Sequence, residues 1–592
     1  MNDFHITLKC KQIGSAECSF DDLHYCFSRQ YERDSFFCQQ QGALLLFIGV
    51  CYNKSDIIGS GDKKEWQDIL LQSFRKDSKK VLEEIDGYFC GLFYDSKAGE
   101  LLLFSDHLST LPIYYYRNND YFIADTDIFR LVHKLHELGI RINLSEFGAY
   151  SMLAYSFMLG NNTLLSDVYK VCPASLYSFK LNQTQKYFEY YSEEKDMVST
   201  SQTIAEGIDF LFSHAVTDSM SVDGGGQHLF TLSGGLDSRM YLLYALHLGY
   251  KDITTLNYSQ TFYREEVIAK RIAADCGCEH IFFSLDNGHY LSNIDEGIRA
   301  TQGMTTYRPI LSARMVWNQL NMNRYNVVHT GLLGDAIIGG YCIDKCNTDD
   351  RFHSETDLAV QLNVKNKTIL RAPYAKEFDS LFNQILDWIP TSKLTSLGSE
   401  KFVLDNRYIN GLMQSSLGTR DISVLVSPYT SKKMMKYIFS FPSSLRLNHN
   451  LYFEWMNKYM PIATKYTWEN TGLRPMYGKI PLKPHSAVAS FAKKMEDKFR
   501  FSRPESSRNP YNFWMKNNEN IQQEIYDYCV HKLFLLEKYP ELLDISRRIL
   551  KYNNIYLLIR LATLLGFLYM CFLGGESAVD GGKQYGQQNR KI

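Results

Sequence analysis

The chain has 592 residues, 45% of them hydrophobic, 14% aromatic and 22% charged, with a formal net charge of -1. That length exceeds one core and calls for two or three domains, and the composition excludes a disordered or fibrous chain. The balanced charge leaves no electrostatic footprint for nucleic acid. The start, MNDFHITLKC, shows no basic stretch followed by an apolar block, so the 13 cysteines are expected to be thiols of a cytoplasmic protein. The lone C-x-C of DCGCEH (275–280) lacks a second ligand pair and is not read as a zinc site.

Residues 1–190 read as β-rich. Short apolar runs (GALLLFIGVCYN, GYFCGLFYDS, GELLLFSD, LPIYYYRNNDYFIAD and ASLYSFKLN) are separated by Gly, Asn and Asp turns, a spacing that predicts antiparallel sheets packed face to face. The polar connector SEEKDMVSTSQT (192–203) marks a boundary. Strands and helices then alternate: HLFTL, an amphipathic helix over 237–248 ended by Gly249, DITTLNY, the helical REEVIAKRIAAD, HIFFSL and, later, YNVVHTG. Such alternation predicts a doubly wound parallel sheet over residues 200–500. Residues 501–592 read as helical, including NIQQEIYDYCVHKLFLL and the run YLLIRLATLLGFLYMCFL (556–573). That run is at the lower edge of a membrane span, but Arg560 near its start disfavours lipid, and a buried bundle helix is the expected reading. No stable membrane insertion is expected.

Between the strand HLFTL and its helix stands SGGLDS, Ser233 to Ser238. A glycine-rich turn feeding a helix N-terminus gathers bare backbone amides, an anion-binding arrangement. Ser233 and Ser238 add hydroxyl donors, while Gly234 and Gly235 let oxygens approach the backbone. Asp237 conflicts with bound phosphates unless a cation such as Mg²⁺ bridges them. No Walker lysine follows, and no third glycine completes a dinucleotide fingerprint.

SGGLDS resembles the pyrophosphate-binding loop of the asparagine synthetase class of ATP pyrophosphatases. Further stretches agree: EEVIAKRIAADCGCEH, HTGLLGDAIIGGY (329–341) beside the family's second loop T/S-G-E-G-A-D-E-L-F-G-G-Y, and YFEWMNKYMPIATKYTWENTGLRP, which is similar to relatives from surface-polysaccharide clusters. DGYFCGLFYDSKAGELLLFSDHLSTLPIYYY resembles the class II glutaminase domain. The implied fold class is α/β: an N-terminal-nucleophile-type β-sandwich in degenerate form, then a pyrophosphate-loop (PP-loop) synthetase domain, then the helical C-terminal region.

The resemblance implies that ATP activates a carboxylate as an acyl-adenylate, releasing pyrophosphate, and that an amine then attacks. It implies Mg²⁺ on Asp237 and Asp335, adenine and ribose at Leu232, Leu256, Thr330 and Gly331, and phosphates at Ser233, Gly234, Gly235 and Ser238. Read alone, Asp335 after Gly334 also fits a helix cap. A lysine is expected near the α-phosphate, either Lys479 or Lys483, with spacing favouring Lys479. Tyr341 stands where the family has a tyrosine, and read alone fits core packing equally well. The expected partners are a small-molecule or peptide carboxylate and an amine, and a homodimer is compatible.

Departures shape the reading. Residue 2 is Asn where the glutaminase needs a cysteine nucleophile, and the nearest cysteine is Cys10. The family's N-G-E-I-Y-N is IGVCYN (48–53) here, and its arginine in R-D-x-x-G is Ser105. Asp86 is kept in DGYF. A glutaminase fold without glutaminase activity is therefore expected. Leu332 and Ala336 replace two acids of the second loop, which argues against aspartate as substrate. The first reading is amidation of a sugar acid or similar metabolite in polysaccharide synthesis. The alternatives are a β-lactam or lasso-peptide type of cyclase, and an inactive ATP-binding protein, against which Asp237 and Asp335 both argue.

Overall fold

A computed structural model describes residues 3–9, 22–26, 34–58, 66–191, 200–222, 226–340, 400–401, 403–477, 480–481 and 507–573. The N-terminal strands are β1 (Asp3–Lys9), β2 (Asp22–Cys26), β3 (Phe36–Gln40), β4 (Ala43–Cys51), β5 (Gly87–Asp95), β6 (Glu100–Ser105), β7 (Tyr114–Arg117), β8 (Tyr121–Asp125), β9 (Val168–Lys170), β10 (Ser175–Ser178) and β11 (Gln183–Lys186). They form two antiparallel sheets, ordered β2-β1-β8-β7-β9 and β11-β10-β6-β5-β4-β3.

Period-two sorting explains why β4 is an unbroken apolar run. Leu44, Leu46 and Ile48 enter the core between the sheets with Phe4, Ile6 and Phe122. Leu45 and Phe47 face the other way and pack under Leu70 and Phe74 of the helix Trp66–Glu84. A strand covered on both faces has no polar alternation to show. On the outer face of the other sheet, Tyr114 and Ile123 share a core with Ile128 and Leu131 of the helix Ile128–Glu137. The layers therefore run helix, sheet, sheet, helix.

The second domain carries β12 (His228–Thr231), β13 (Ile253–Ser259), β14 (Glu279–Ser284), β15 (Val327–His329) and β16 (Val424–Val426), all parallel, in the order β14-β13-β12-β15-β16. The chain winds outward from β12 to β14 and then returns beside β12 as β15. The order thus reverses between β12 and β15, and the carboxyl ends of those two strands are where a doubly wound sheet opens a crevice. SGGLDS follows β12 and TGLLGD follows β15. The helix after β12 spans Leu236–His247.

Polar contacts join the domains. In the π-helical stretch Leu404–Met413, Asn406 Oδ1 accepts from the Gly160 amide at 2.8 Å and Asn410 Oδ1 accepts from Lys170 Nζ at 2.6 Å. Gln414 Nε2 donates to the Ser109 carbonyl at 2.6 Å. Spacing of four places all three amides on one face of the helix.

The helix Ile555–Phe572 packs against both domains, meeting the helices Glu146–Tyr155 and Ile294–Thr301. It is long and apolar enough to cross a membrane, and 78% of it is buried inside the fold. Arg560 lies within this apolar surface because its Nη1 donates to the Leu153 and Ala154 carbonyls, both at 2.8 Å, in the last turn of the helix Glu146–Tyr155. Burial pulls its guanidinium down to about 10. Replacing Arg560 by Met should leave those carbonyls buried without a donor and cost about 2 kcal/mol. Urea unfolding measures this, and an unchanged midpoint would refute the capping role. The same preparations should be recovered without detergent, whereas recovery only from the membrane fraction would show the helix leaving the fold.

Candidate active site at the carboxyl ends of the sheet

The loop after β12 is built before any ligand arrives. The Leu232 amide donates to the Leu256 carbonyl at 2.9 Å, continuing the sheet by one residue. Ser238 Oγ accepts from the Ser233 amide at 3.0 Å, and Ser233 Oγ accepts from the Gly235 amide at 3.1 Å. The two hydroxyls also meet each other at 3.0 Å. The helix Leu236–His247 has no side-chain cap, so its first amides remain open to an anion.

Arg239, the residue after the motif, turns the loop outward. Its guanidinium is fully buried and donates to the carbonyls of Gly234 and Gly235 at 2.9 Å each, and to those of Ala463, Tyr466 and Thr467 at 2.6 to 3.1 Å. With the loop carbonyls held inward by this fork, the amides face the crevice. Burial without a carboxylate partner pulls Arg239 down to about 10.

The second loop packs directly onto the first. A Cβ on Gly331 would lie 2.5 Å from the Ser238 amide nitrogen, and one on Gly334 would lie 2.5 Å from Asp237 Cγ. Glycine is the residue that fits this approach. Leu333 has a left-handed φ of +70° at a position where the resembled motif has glycine, a strain of roughly 1 kcal/mol or more. Asp335 sits inside the short helix Gly334–Ile337 and donates its own amide to Asp237 Oδ2 at 2.8 Å. Of its two sequence readings, the helix-cap one does not match this geometry.

Asp237 therefore sits among polar groups that hold it without neutralising it. Tyr452 donates to Oδ1 at 2.9 Å, and Tyr429 donates to the Asp237 carbonyl at 3.0 Å. No lysine or arginine pairs with this carboxylate among the described residues. Burial, and then the Asp335 carboxylate, push Asp237 up to about 7. Asp335 is half-exposed and bonds His449 Nε2 through Oδ1. Two adjacent carboxylates with unused lone pairs are a hard-oxygen donor set that fits Mg²⁺ once phosphate oxygens complete the sphere. No cluster of three or more acidic, His or Cys ligands exists among the described residues, so a metal here would depend on its ligand for the rest.

These loops open onto a cavity of about 490 Å³. Of the expected site residues, Leu232, Ser233, Gly235, Asp237, Ser238, Leu256, Thr330 and Gly331 line it. Gly234 belongs to the loop but not to the lining, because a side-chain position there already faces Glu469 Cβ at 3.0 Å. Asp335 also lies off the lining, behind Asp237. Tyr341 and both lysine candidates, Lys479 and Lys483, lie outside the described residues.

Sequence reasoning did not single out Arg239, Glu265, Arg308, Tyr429, Tyr452, His449 or Arg508. Arg239 directly follows the motif and Glu265 opens the quoted stretch EEVIAK, so both were findable; the others come from distant segments with no spacing signal. Glu265 lines the cavity, nearly fully buried, accepting from Asn257 Nδ2 at 3.1 Å with Arg508 at 3.9 Å. Burial pushes its carboxyl up to about 7 against the pull of that arginine.

In the N-terminal domain, residues of the glutaminase-like stretches hold the fold and its neighbour together. Asp86 Oδ2 accepts from Ser431 Oγ at 3.1 Å and from the Lys432 amide at 3.0 Å, both in the second domain. Lys432 Nζ donates to the Leu82 and Glu83 carbonyls at 2.9 and 2.8 Å, and His107 Nε2 meets the Thr430 carbonyl at 2.7 Å. Asn53 accepts from the Asp86 amide and donates to the Glu84 carbonyl. Ser105 is fully buried, with its hydroxyl on the Asp106 carbonyl. Asn2 and Cys10 lie outside the described residues.

Residues 37–191 match the glutamine amidotransferase domain family, and residues 207–402 match the asparagine synthase family. No curated protein matches the chain. Among solved structures, a glutamine phosphoribosylpyrophosphate amidotransferase from B. subtilis, complexed with ADP and GMP, is 10% identical. The alignment covers 48% of this chain and 85% of that one, with a TM-score of 0.21. An allosteric regulatory enzyme of purine biosynthesis is 9% identical over 48% and 74% of the two chains, with a TM-score of 0.20. Likenesses this distant carry no argument about activity.

Two outcomes test the site. Arg239→Lys should free loop carbonyls that one ammonium cannot reach together, lowering the melting temperature and costing on the order of 3 kcal/mol of stability. Glu265→Gln tests the buried acid. A carboxyl raised from its usual value to about 7 is protonated in both states at low pH, and stability drains away as pH rises towards 7. The variant should match the parent near pH 4 and exceed it by about 2 kcal/mol at pH 8. Equal stability at pH 8 would show Glu265 ionised and well paired.

Proposed function

From the premise that this chain is an asparagine synthetase-like enzyme, with a glutamine amidotransferase domain joined to an asparagine synthase domain, we propose that it adenylates a carboxylate and passes the acyl group to an amine without using glutamine. The observation that carries this is the uncompensated Asp237 carboxylate beside the amide-rich loop, opening on a cavity of small-molecule size. The substrate carboxylate attacks the α-phosphorus of ATP, the bond to the β-phosphate breaks, and pyrophosphate leaves with the electron pair. The amine then attacks the acyl carbon, AMP leaves, and the amine gives up a proton. Mg²⁺ held by Asp237, with Asp335 beside it, would supply charge neutralisation at the phosphates. The chain's own part is to aim the loop amides and the helix N-terminus at the leaving pyrophosphate, where charge develops. Ser233 and Ser238 exchange their internal bonds for phosphate oxygens. Leu232, Leu256, Thr330 and Gly331 form the wall suited to the nucleoside.

The commitment of Asp86 to Ser431 and Lys432 supports a glutaminase domain kept as a scaffold. An amine from solution, or from the substrate itself as in a cyclase, then replaces glutamine-derived ammonia. A cavity of about 490 Å³ suits ATP and a small acid better than a folded peptide precursor, which favours amidation of a metabolite over macrolactam formation. A role in surface-polysaccharide synthesis fits that substrate size.

Mg²⁺-dependent exchange of pyrophosphate into ATP is expected once the acid is supplied, with AMP rather than ADP as product. Asp237→Asn should cost about 3 kcal/mol or more in kcat/KM. ADP as the stoichiometric nucleotide product would exclude the mechanism. Pure protein given glutamine should form no glutamate above background, and glutamate formation abolished by Cys10→Ala would overturn the scaffold reading.

A further inference from the structure

Part of the cavity lining is not explained by ATP chemistry. Arg308 lines the cavity at the start of the helix Arg308–Trp317, half-buried, and has no carboxylate partner among the described residues. Its guanidinium instead lies over the rings of Tyr511 and Tyr556, with centroid distances of 4.8 and 5.5 Å. A cation fixed by two aromatic faces and left without an anion in a cavity is preorganised for one.

Four hydroxyls of the same lining share a second property. Ser312 Oγ donates to the Pro309 carbonyl at 3.2 Å, Ser415 Oγ to Leu412 at 2.5 Å, Ser416 Oγ to Met413 at 2.5 Å and Thr419 Oγ1 to Ser416 at 2.9 Å. Each donates its hydrogen to the backbone, which leaves its lone pairs to accept from a ligand. Acceptors that line the same cavity as this cation call for a ligand rich in hydroxyl donors that carries a carboxylate. Aspartate, with one ammonium and no hydroxyl, does not use them, and a fatty or aromatic acid would leave the acceptors unpaired.

We propose that this wall is the acyl-substrate subsite and that its ligand is a sugar acid of the uronate type, with Arg308 orienting the carboxylate and Ser312, Ser415, Ser416 and Thr419 accepting from ring hydroxyls. This rests on the adenylation reading. Arg308 then holds the attacking oxygens, and the serine and threonine acceptors set specificity.

Calorimetry on the full chain, saturated with Mg²⁺ and the α,β-methylene analogue of ATP, tests it with D-glucuronate and D-galacturonate as probes. D-glucose, succinate and L-aspartate are the comparators. A uronate is expected to bind about tenfold tighter than any comparator, because glucose lacks the charge and the diacids lack the hydroxyls. Arg308→Gln should weaken the uronate about tenfold or more while leaving the ATP analogue within about twofold, and Arg308→Lys should restore part of the loss. The double variant Ser415→Ala, Ser416→Ala, which leaves the Arg308 stacking intact, should also weaken the uronate alone. If Arg308→Gln or the serine variant weakens the ATP analogue instead, the wall belongs to the nucleotide and the proposal falls. It falls equally if aspartate matches the uronates, or if the chain binds the analogue but neither uronate. Failure of the parent chain to bind the ATP analogue at all would remove the adenylation reading itself.

Discussion

The constraint on which the site depends is a carboxylate placed where nothing permanent neutralises it. Asp237 is held by an amide and a tyrosine hydroxyl, and after burial the group that most raises its pKa is another carboxylate, Asp335. Hydrogen bonds of this kind position an anion without cancelling its charge. The fold tolerates the arrangement because both loops are glycine-rich at their contact. Gly331 and Gly334 let the second loop rest on the first, and Arg239 ties the first loop to the segment around Tyr466. The rigidity that a preorganised site needs comes from buried backbone contacts rather than from opposing charge.

The same economy governs the join between domains. Asp86 of the N-terminal domain takes Ser431 and Lys432 of the second, and His107 takes Thr430. Lys170, fully buried and pulled down to about 8 by burial, donates to the side-chain amide oxygen of Asn410. The apolar helix Ile555–Phe572 closes the joint, and its one arginine caps a helix of the N-terminal domain.

Much of the fold was legible because the decisive patterns are local. The runs around β4, β5 and β6 are bounded by turn residues, and the helix over 237–248 lies within one residue of the observed Leu236–His247. The short strand β16 was missed: three residues between irregular segments give no periodicity. The helix Ile555–Phe572 was ambiguous by composition, since a buried keystone helix and a membrane span look alike until the neighbours are known. Gly234 and Asp335 were legible as motif members, and the structure places both in the two loops that meet at Asp237.

What the sequence determined by itself was the chemistry of one loop and the order of the elements. Ser233 to Ser238 sit between a strand and a helix, a local geometry that leaves backbone amides without partners at the turn. Tertiary structure decided what surrounds it. Tyr429, Tyr452 and His449 come from segments more than a hundred residues distant, and Arg308 and Arg508 reach the cavity from the synthetase region and the C-terminal helical region. No spacing rule connects such residues. Only the reversal of strand order between β12 and β15, and the packing of the C-terminal helices across it, brings them to one cavity.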